Sequence, residues 1–349
     1  MPKSREIHLV SRPDGMPAEK NFALVETQVP DAADGQVQLQ ALFVSVDPYM
    51  RPRLDADQPL DAPMLGGGIA RVVQSRNDRF REGDLVRHGA GMQELFVSDG
   101  RGLQKLSPDP DLPLSVYMHA LGGTGITAYG GLLETGALKD GEQVFVSTAG
   151  GAVGSVVAQI ARIKGCRVAG STGSDDKAAW LRDVAGLDAV INYHKQPLAT
   201  AIRDAMPNGI DVYFENVGGD HLDAVLPRMN VRGRIPVCGM ISTYNGDRVG
   251  VKNLSSLIYS RIRMEGFVAS DFPHLQAQFQ ADMTGWLKSG QVKYQETILD
   301  GFERAPEALV GLFEGKNAGK MLVRAAEKRR KRRQRTAEAA EGRGSGHAS

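Results

Sequence analysis

The chain has 349 residues, 42% hydrophobic and 24% charged, with a formal net charge of +1. That composition suits a soluble globular protein, with two domains as the prior from length. No apolar run approaches the ~18 residues of a membrane span, and the start, MPKSREIHLVSRPDG, lacks the apolar core of a secretory signal.

Residues 1–122 show no sustained helical period. Short alternating or apolar segments recur between turn signals at 37–46, 68–73, 85–87 and 95–97. This pattern predicts an all-β unit, a partly open barrel. Asp47-Pro48-Tyr49-Met50-Arg51-Pro52 interrupts it with two prolines and an aromatic. Residues 119–129, rich in glycine, make the crossing into a second unit.

From 123 to 300, strands and helices alternate. The apolar run Val144-Phe145-Val146 has the length of a strand buried on both faces. A glycine turn follows, Gly150-Gly151-Ala152-Val153-Gly154. Apolar residues then recur at Val153, Val156, Val157, Ile160, Ala161 and Ile163, a helical period, and a second strand is expected at 167–170. Strand, glycine turn, helix, strand is the first half of a dinucleotide-binding fold. The early glycines let bare backbone approach a pyrophosphate, and Gly154 lets the helix lie close on its strand. The helix N-terminus offers unpaired N–H groups to the phosphates.

Further helices are expected at 177–183, 198–205, 220–229 and 272–287, and strands at 189–192, 211–215, 234–238 and 263–268. Such alternation predicts a parallel sheet with helices on both faces and a cofactor at the carboxyl ends of the strands. Tyr193, Asn216, Val217 and Cys238 follow three of those strands. A last helix at 306–313 and strand at 320–323 return to the first unit within 301–325.

The end of the second strand discriminates between nucleotides. An NAD site carries an acidic residue ~20 residues past the glycines, on the ribose 2′-OH. Here the chain reads Gly170-Ser171-Thr172-Gly173-Ser174. Hydroxyls and a glycine turn accept a 2′-phosphate, with Lys177 as counter-charge, so NADP(H) is expected. Lys177 also has the plainer reading of a surface lysine. Asp175 and Asp176 are expected to cap the next helix and face away.

No metal site is expected, because His8, His88, His119, His194, His221 and His274 are scattered and the two cysteines lie far from them in sequence. No GxSxG elbow is present, and Cys238 reads as a small buried residue rather than a nucleophile. Both Cys166 and Cys238 adjoin predicted buried strands, which argues against a disulfide framework and for a cytoplasmic setting. Hydride transfer is the chemistry left. Adding hydride to a carbon–carbon double bond conjugated to a carbonyl creates an enolate, which needs a donor at oxygen and a proton at the α-carbon. Tyr49 and Tyr259 are the candidate donors, one from each unit; packing is the alternative role of each.

From Glu327 the chain holds eight Lys or Arg against three Glu, a surplus of five that leaves the remainder at −4. Residues 326–349 are expected to form a disordered basic tail. It lacks interleaved aromatics, so a solvated extension is the simpler reading and a nucleic-acid partner the rival one.

Several strings together resemble one family. They are DPYMRPR (47–53), GGGIARVV (66–73), GTGITAYGGL (123–132), STAGGAVGSVVAQIARIKGCRV (147–168), GSDDK (173–177), INYH (191–194), FENVGG (214–219), GRIPVCGMISTYN (233–245), GFE (301–303) and NAGKMLV (317–323). The chain is similar over residues 5–325 to the zinc-free medium-chain dehydrogenase/reductases, in the alkenal/one reductase branch. The resemblance implies an α/β protein with a GroES-like, partly open β-barrel domain and a Rossmann doubly wound parallel-sheet domain. It implies a homodimer joined sheet edge to edge, acting on enones or enals with NADP(H). Gly151, Ala152, Val153 and Gly154 resemble its pyrophosphate loop, and Lys177 and Tyr193 its 2′-phosphate contacts. Asn216, Cys238 and Tyr244 resemble contacts to the nucleotide and nicotinamide ribose. Tyr49 and Tyr259 resemble cleft tyrosines, Tyr259 the one that helps hold the enolate. Two departures stand out: Ala149-Gly150-Gly151 replaces a longer alanine or methionine run, and 246–256 lacks a proline-rich loop. A quinone reductase of the same superfamily is the close rival.

Overall fold

The computed structural model describes residues 1–246 and 250–325; the expected basic tail lies outside them. Two sheets organise the chain. The first has the strand order Glu296–Asp300, Lys320–Arg324, Val37–Ser45, Gly68–Ser75, Leu85–His88 and Gln104–Leu106, with Leu95–Ser98 also paired to Val37–Ser45. Its pairings are antiparallel apart from that of the two C-terminal strands. A hairpin of Lys3–Leu9 with Phe22–Gln28 lies beside it. Alternation places Val37, Leu39, Val72, Val86 and Phe96 in one apolar cluster. Val44, Leu54, Phe302, Leu309 and Val323 form another.

The second sheet is parallel throughout. Its order is Ala189–Asn192, Arg167–Thr172, Gln143–Val146, Ile210–Phe214, Met229–Val237 and Arg263–Gly266. Chain order therefore runs outward in both directions from Gln143–Val146, as in a dinucleotide-binding sheet. Both faces are covered. Phe145, Ala169, Ile191 and Tyr213 pack into one cluster, while Val144, Val146, Val168 and Phe214 pack into the other. This is why these strands read as continuous apolar runs.

The structure differs from the sequence reading in several places. A helix, Met50–Asp55, occupies the proline-interrupted segment. Pro52 is tolerated there because the first turn of a helix needs no N–H from it. The chain re-enters the first sheet at Glu296, through a strand paired in parallel with Lys320–Arg324, and not at 301. The helix expected at 220–229 ends as α-helix at Val225 and tightens into a 3-10 turn, Leu226–Arg228.

Two buried cations lock the barrel loop that carries Tyr49. Lys320 Nζ donates to the Val46 carbonyl at 2.7 Å, the Asp47 carboxylate at 2.9 Å and the Met321 carbonyl at 3.0 Å. Arg51 donates to the Gly15 carbonyl and, at 2.9 Å, to Asn245 Oδ1 in the second unit. All three donors of the ammonium are thus satisfied, which is what makes a buried lysine tolerable.

Candidate cofactor and substrate site

The sheet's order reverses between Gln143–Val146 and Ile210–Phe214, and a dinucleotide crevice is expected at the carboxyl ends of these two strands. Thr148 takes φ 52°, unusual for a β-branched residue, and starts the turn. Gly151 N–H donates to the Thr148 carbonyl at 2.9 Å. A Cβ at Gly154 would lie 2.4 Å from that same carbonyl oxygen, so only glycine lets the helix Gly154–Ile163 begin here. The N-cap, Val153, brings no side-chain acceptor. The N–H groups of Ala152, Val153 and Gly154 lack intrahelical acceptors and suit an anion.

A buried network ties the two strand ends together. Asn216 Nδ2 donates to the Ser147 carbonyl at 2.7 Å, and Asn216 N–H donates to Ser147 Oγ at 2.9 Å. Ser147 Oγ and the Val217 N–H both donate to Glu215 Oε1, at 3.1 and 2.6 Å. Burial pushes the Glu215 carboxyl above its ordinary range. Spacing did not single out Glu215 or Ser147; a carboxylate inside an apolar strand end is the signal that would have found them.

At the far end of the crevice, strand Arg167–Thr172 runs into Gly173 and Ser174. A Cβ at Gly173 would lie 2.7 Å from the Tyr193 hydroxyl. Ser174, not the aspartates, caps the helix Asp175–Asp183, accepting from Lys177 N–H at 3.3 Å. Asp175 is turned to the neighbouring strand, where it accepts from Asn192 at 2.8 Å and pairs with Lys195. That lysine holds its carboxyl below the ordinary range. Lys177 is half-buried, and burial lowers its pKa. Its Nζ donates at 2.8 Å to the carbonyl of Gly315, which comes from the returning C-terminal segment. Gly319 of that segment donates to the Gly150 carbonyl at 3.2 Å. The returning segment is therefore bonded to both the glycine turn and Lys177, a contact that spacing did not reveal.

Beyond the strand Ile210–Phe214, Cys238 N–H donates to the Glu215 carbonyl at 2.8 Å. Burial first, and then the Glu215 charge, push the Cys238 thiol up to about 12. Tyr244 is half-buried, its hydroxyl 3.5 Å from the Met240 N–H. The Arg51–Asn245 bond joins the segment carrying Tyr244 to that carrying Tyr49. Tyr49 is 48% exposed, and burial, then Asp47, push its hydroxyl up to about 12. Tyr259 stands apart: it is 78% exposed on the short helix Ser256–Tyr259 and its hydroxyl makes no hydrogen bond among the described residues. Among the described residues, no group of three His, Cys, Asp or Glu converges to hold a metal. No helix among them is long and apolar enough to cross a membrane.

Comparison with known proteins agrees with this geometry. Residues 5–106 match the N-terminal domain of oxidoreductase, and 152–289 match the family described as zinc-binding dehydrogenase. The chain is 41% identical to NADPH-dependent curcumin reductase of Escherichia coli, over 93% of this chain and 97% of that one. It is 43% identical to prostaglandin reductase 1 of Rattus norvegicus, over 89% and 96%. The crystal structure of CurA in complex with NADPH from Vibrio vulnificus superposes with a TM-score of 0.87 at 41% identity, over 93% of this chain and 100% of that one. The second family's description names zinc; among the described residues no group of three His, Cys, Asp or Glu converges that could hold it.

A thiol pushed up to about 12 is almost wholly protonated near pH 7.5. Iodoacetamide should therefore label Cys238 in the folded protein more than ~100-fold more slowly than in the unfolded chain. Mass spectrometry of timed samples checks this; labelling at the unfolded rate would show a thiolate.

Proposed function

The chain belongs to the alkenal/one reductase branch of the medium-chain dehydrogenases/reductases, and we propose that it reduces the carbon–carbon double bond of α,β-unsaturated aldehydes and ketones with NADPH. One observation carries the choice of nucleotide. The second strand runs through Ser171-Thr172 into Gly173-Ser174 with no carboxylate before Asp175, and a half-buried ammonium, Lys177, stands one helical turn on.

The N–H groups of Ala152, Val153 and Gly154, with Gly151 beneath them, hold the pyrophosphate. Gly173, Ser174, Lys177 and Tyr193 hold the 2′-phosphate. Asn216, Cys238 and Tyr244 line the nicotinamide ribose and ring. When bound, reduced NADP supplies the hydride for the β-carbon of the enone. Tyr259 donates to the enolate oxygen, and Tyr49 faces the substrate from the barrel side. A tyrosine hydroxyl is a donor throughout the physiological range, and the shift at Tyr49 is upward, away from ionisation. The α-carbon takes its proton from a tyrosine or from solvent. Cys238 stays a thiol beside an electrophilic substrate, so it is not alkylated by it.

Two copies join along Arg263–Gly266, the last strand of the parallel sheet, whose residues are all exposed. Ile258, Tyr259, Met264 and Val268 are exposed nearby, an apolar border that a second copy would cover. Covering it would also desolvate Tyr259, which strengthens a hydrogen bond to an enolate. A soluble, cytoplasmic enzyme fits two free cysteines.

A substrate panel read by NADPH consumption tests the activity. Enones and enals should be consumed, quinones far more slowly, and NADH should serve poorly; quinone turnover above enone turnover would contradict the reading. Tyr259→Phe should lower kcat about 10- to 100-fold while leaving the KM for NADPH in place. An unchanged kcat would remove Tyr259 from the mechanism.

A further inference from the structure

A phosphate monoester carries about two negative charges near neutral pH. The proposed 2′-phosphate contacts answer it with one ammonium, that of Lys177. Close by, Asp175 accepts from Asn192 and pairs with Lys195. His194 is placed differently. It follows Tyr193 at the end of the strand Ala189–Asn192, and its backbone N–H donates to Asn192 Oδ1 at 3.2 Å. Its imidazole packs on the Tyr193 ring, centroids 4.4 Å apart. Its Nε2 lies 3.4 Å from where a Cβ of Gly173 would stand, and the Tyr193 hydroxyl lies 2.7 Å from the same point. Two polar ring ends thus converge on the bare backbone of Gly173, where the second strand delivers the chain to the ribose.

Packing alone does not account for this arrangement. Tyr193 is already held by its backbone bond to the Thr172 carbonyl and by the buried His221 ring, which meets it edge-on at 5.0 Å. The His194 side chain is exposed, and its ring nitrogens make no hydrogen bond among the described residues.

We propose that His194 is a specificity-determining contact: its Nε2–H donates to the 2′-phosphate alongside Lys177 and Tyr193 and favours NADP(H) over NAD(H). The inference rests on the cofactor reading above and adds a residue to it. An imidazole can serve as an N–H donor when neutral and adds charge when protonated; a ribose bearing only a hydroxyl gains little from either.

The test is steady-state kinetics on the full chain with a simple enone, using NADPH and NADH separately, beside a thermal unfolding scan. His194→Phe keeps the ring packing and removes the donor. It should raise the KM for NADPH ~5- to 20-fold, the range of one charge-assisted hydrogen bond at an exposed site, and leave the KM for NADH and the Tm unchanged. His194→Arg should restore tight NADPH use. Equal changes for both nucleotides, or no change for either, would overturn the proposal and leave the cofactor reading standing. A wild-type enzyme with no preference for NADPH would overturn both.

Discussion

The crevice depends on how closely one helix lies on the end of one strand. Gly154 starts the helix directly over the Thr148 carbonyl, where a Cβ would sit at 2.4 Å. The adjoining Ala149 packs just as tightly on Gly170 of the next strand, where a Cβ would come within 2.5 Å of the Ala149 methyl. Ala149 N–H also donates to the Ser171 carbonyl at 2.8 Å. The turn therefore sets two things at once: where the helix offers its free N–H groups, and where the second strand releases Gly173 and Ser174. A side chain at Gly154 would lift the helix and misplace both ends of a bound dinucleotide.

Electrostatics divide the crevice into zones of different character. Around Gly173 and Ser174 the groups are polar and partly or fully exposed, with Asp175 paired to Lys195. At the end of the strand Ile210–Phe214 burial acts on both titratable groups, Glu215 and Cys238. Burial raises the Glu215 carboxyl and, with Glu215 beside it, raises the Cys238 thiol. Glu215 anchors Ser147 and Val217. The barrel contributes through bonds that cross between units: Arg51 to Asn245, and Gly315 and Gly319 to Lys177 and Gly150. Both units thus shape the surroundings of the glycine turn.

The parallel sheet and its glycine turn were legible because burial on both faces leaves apolar runs, and because glycines there answer a steric need. The resemblance over 5–325 added the family. Other features left weaker traces. Met50–Asp55 was hidden by prolines that a first helical turn tolerates. Glu296–Asp300 was read as the tail of the preceding unit because its partner, Lys320–Arg324, lies far along the chain. The cap fell to Ser174 because its φ and ψ are extended and its hydroxyl reaches Lys177 N–H, which a choice between adjacent Asp and Ser cannot show. Exposure of Tyr259 is likewise a property of three dimensions, since a four-residue helix at a sheet edge carries no period to read.

The claim that unites these features is that the crevice directs reduction to the carbon–carbon double bond and leaves the carbonyl intact. Isotope tracing addresses it directly. Turnover of an enone with NADPH deuterated at the reactive nicotinamide position, in ordinary water, should place deuterium on the β-carbon of a saturated ketone. The reverse labelling, unlabelled NADPH in deuterated water, should mark the α-carbon. Deuterium on the carbonyl carbon of an allylic alcohol would contradict the account.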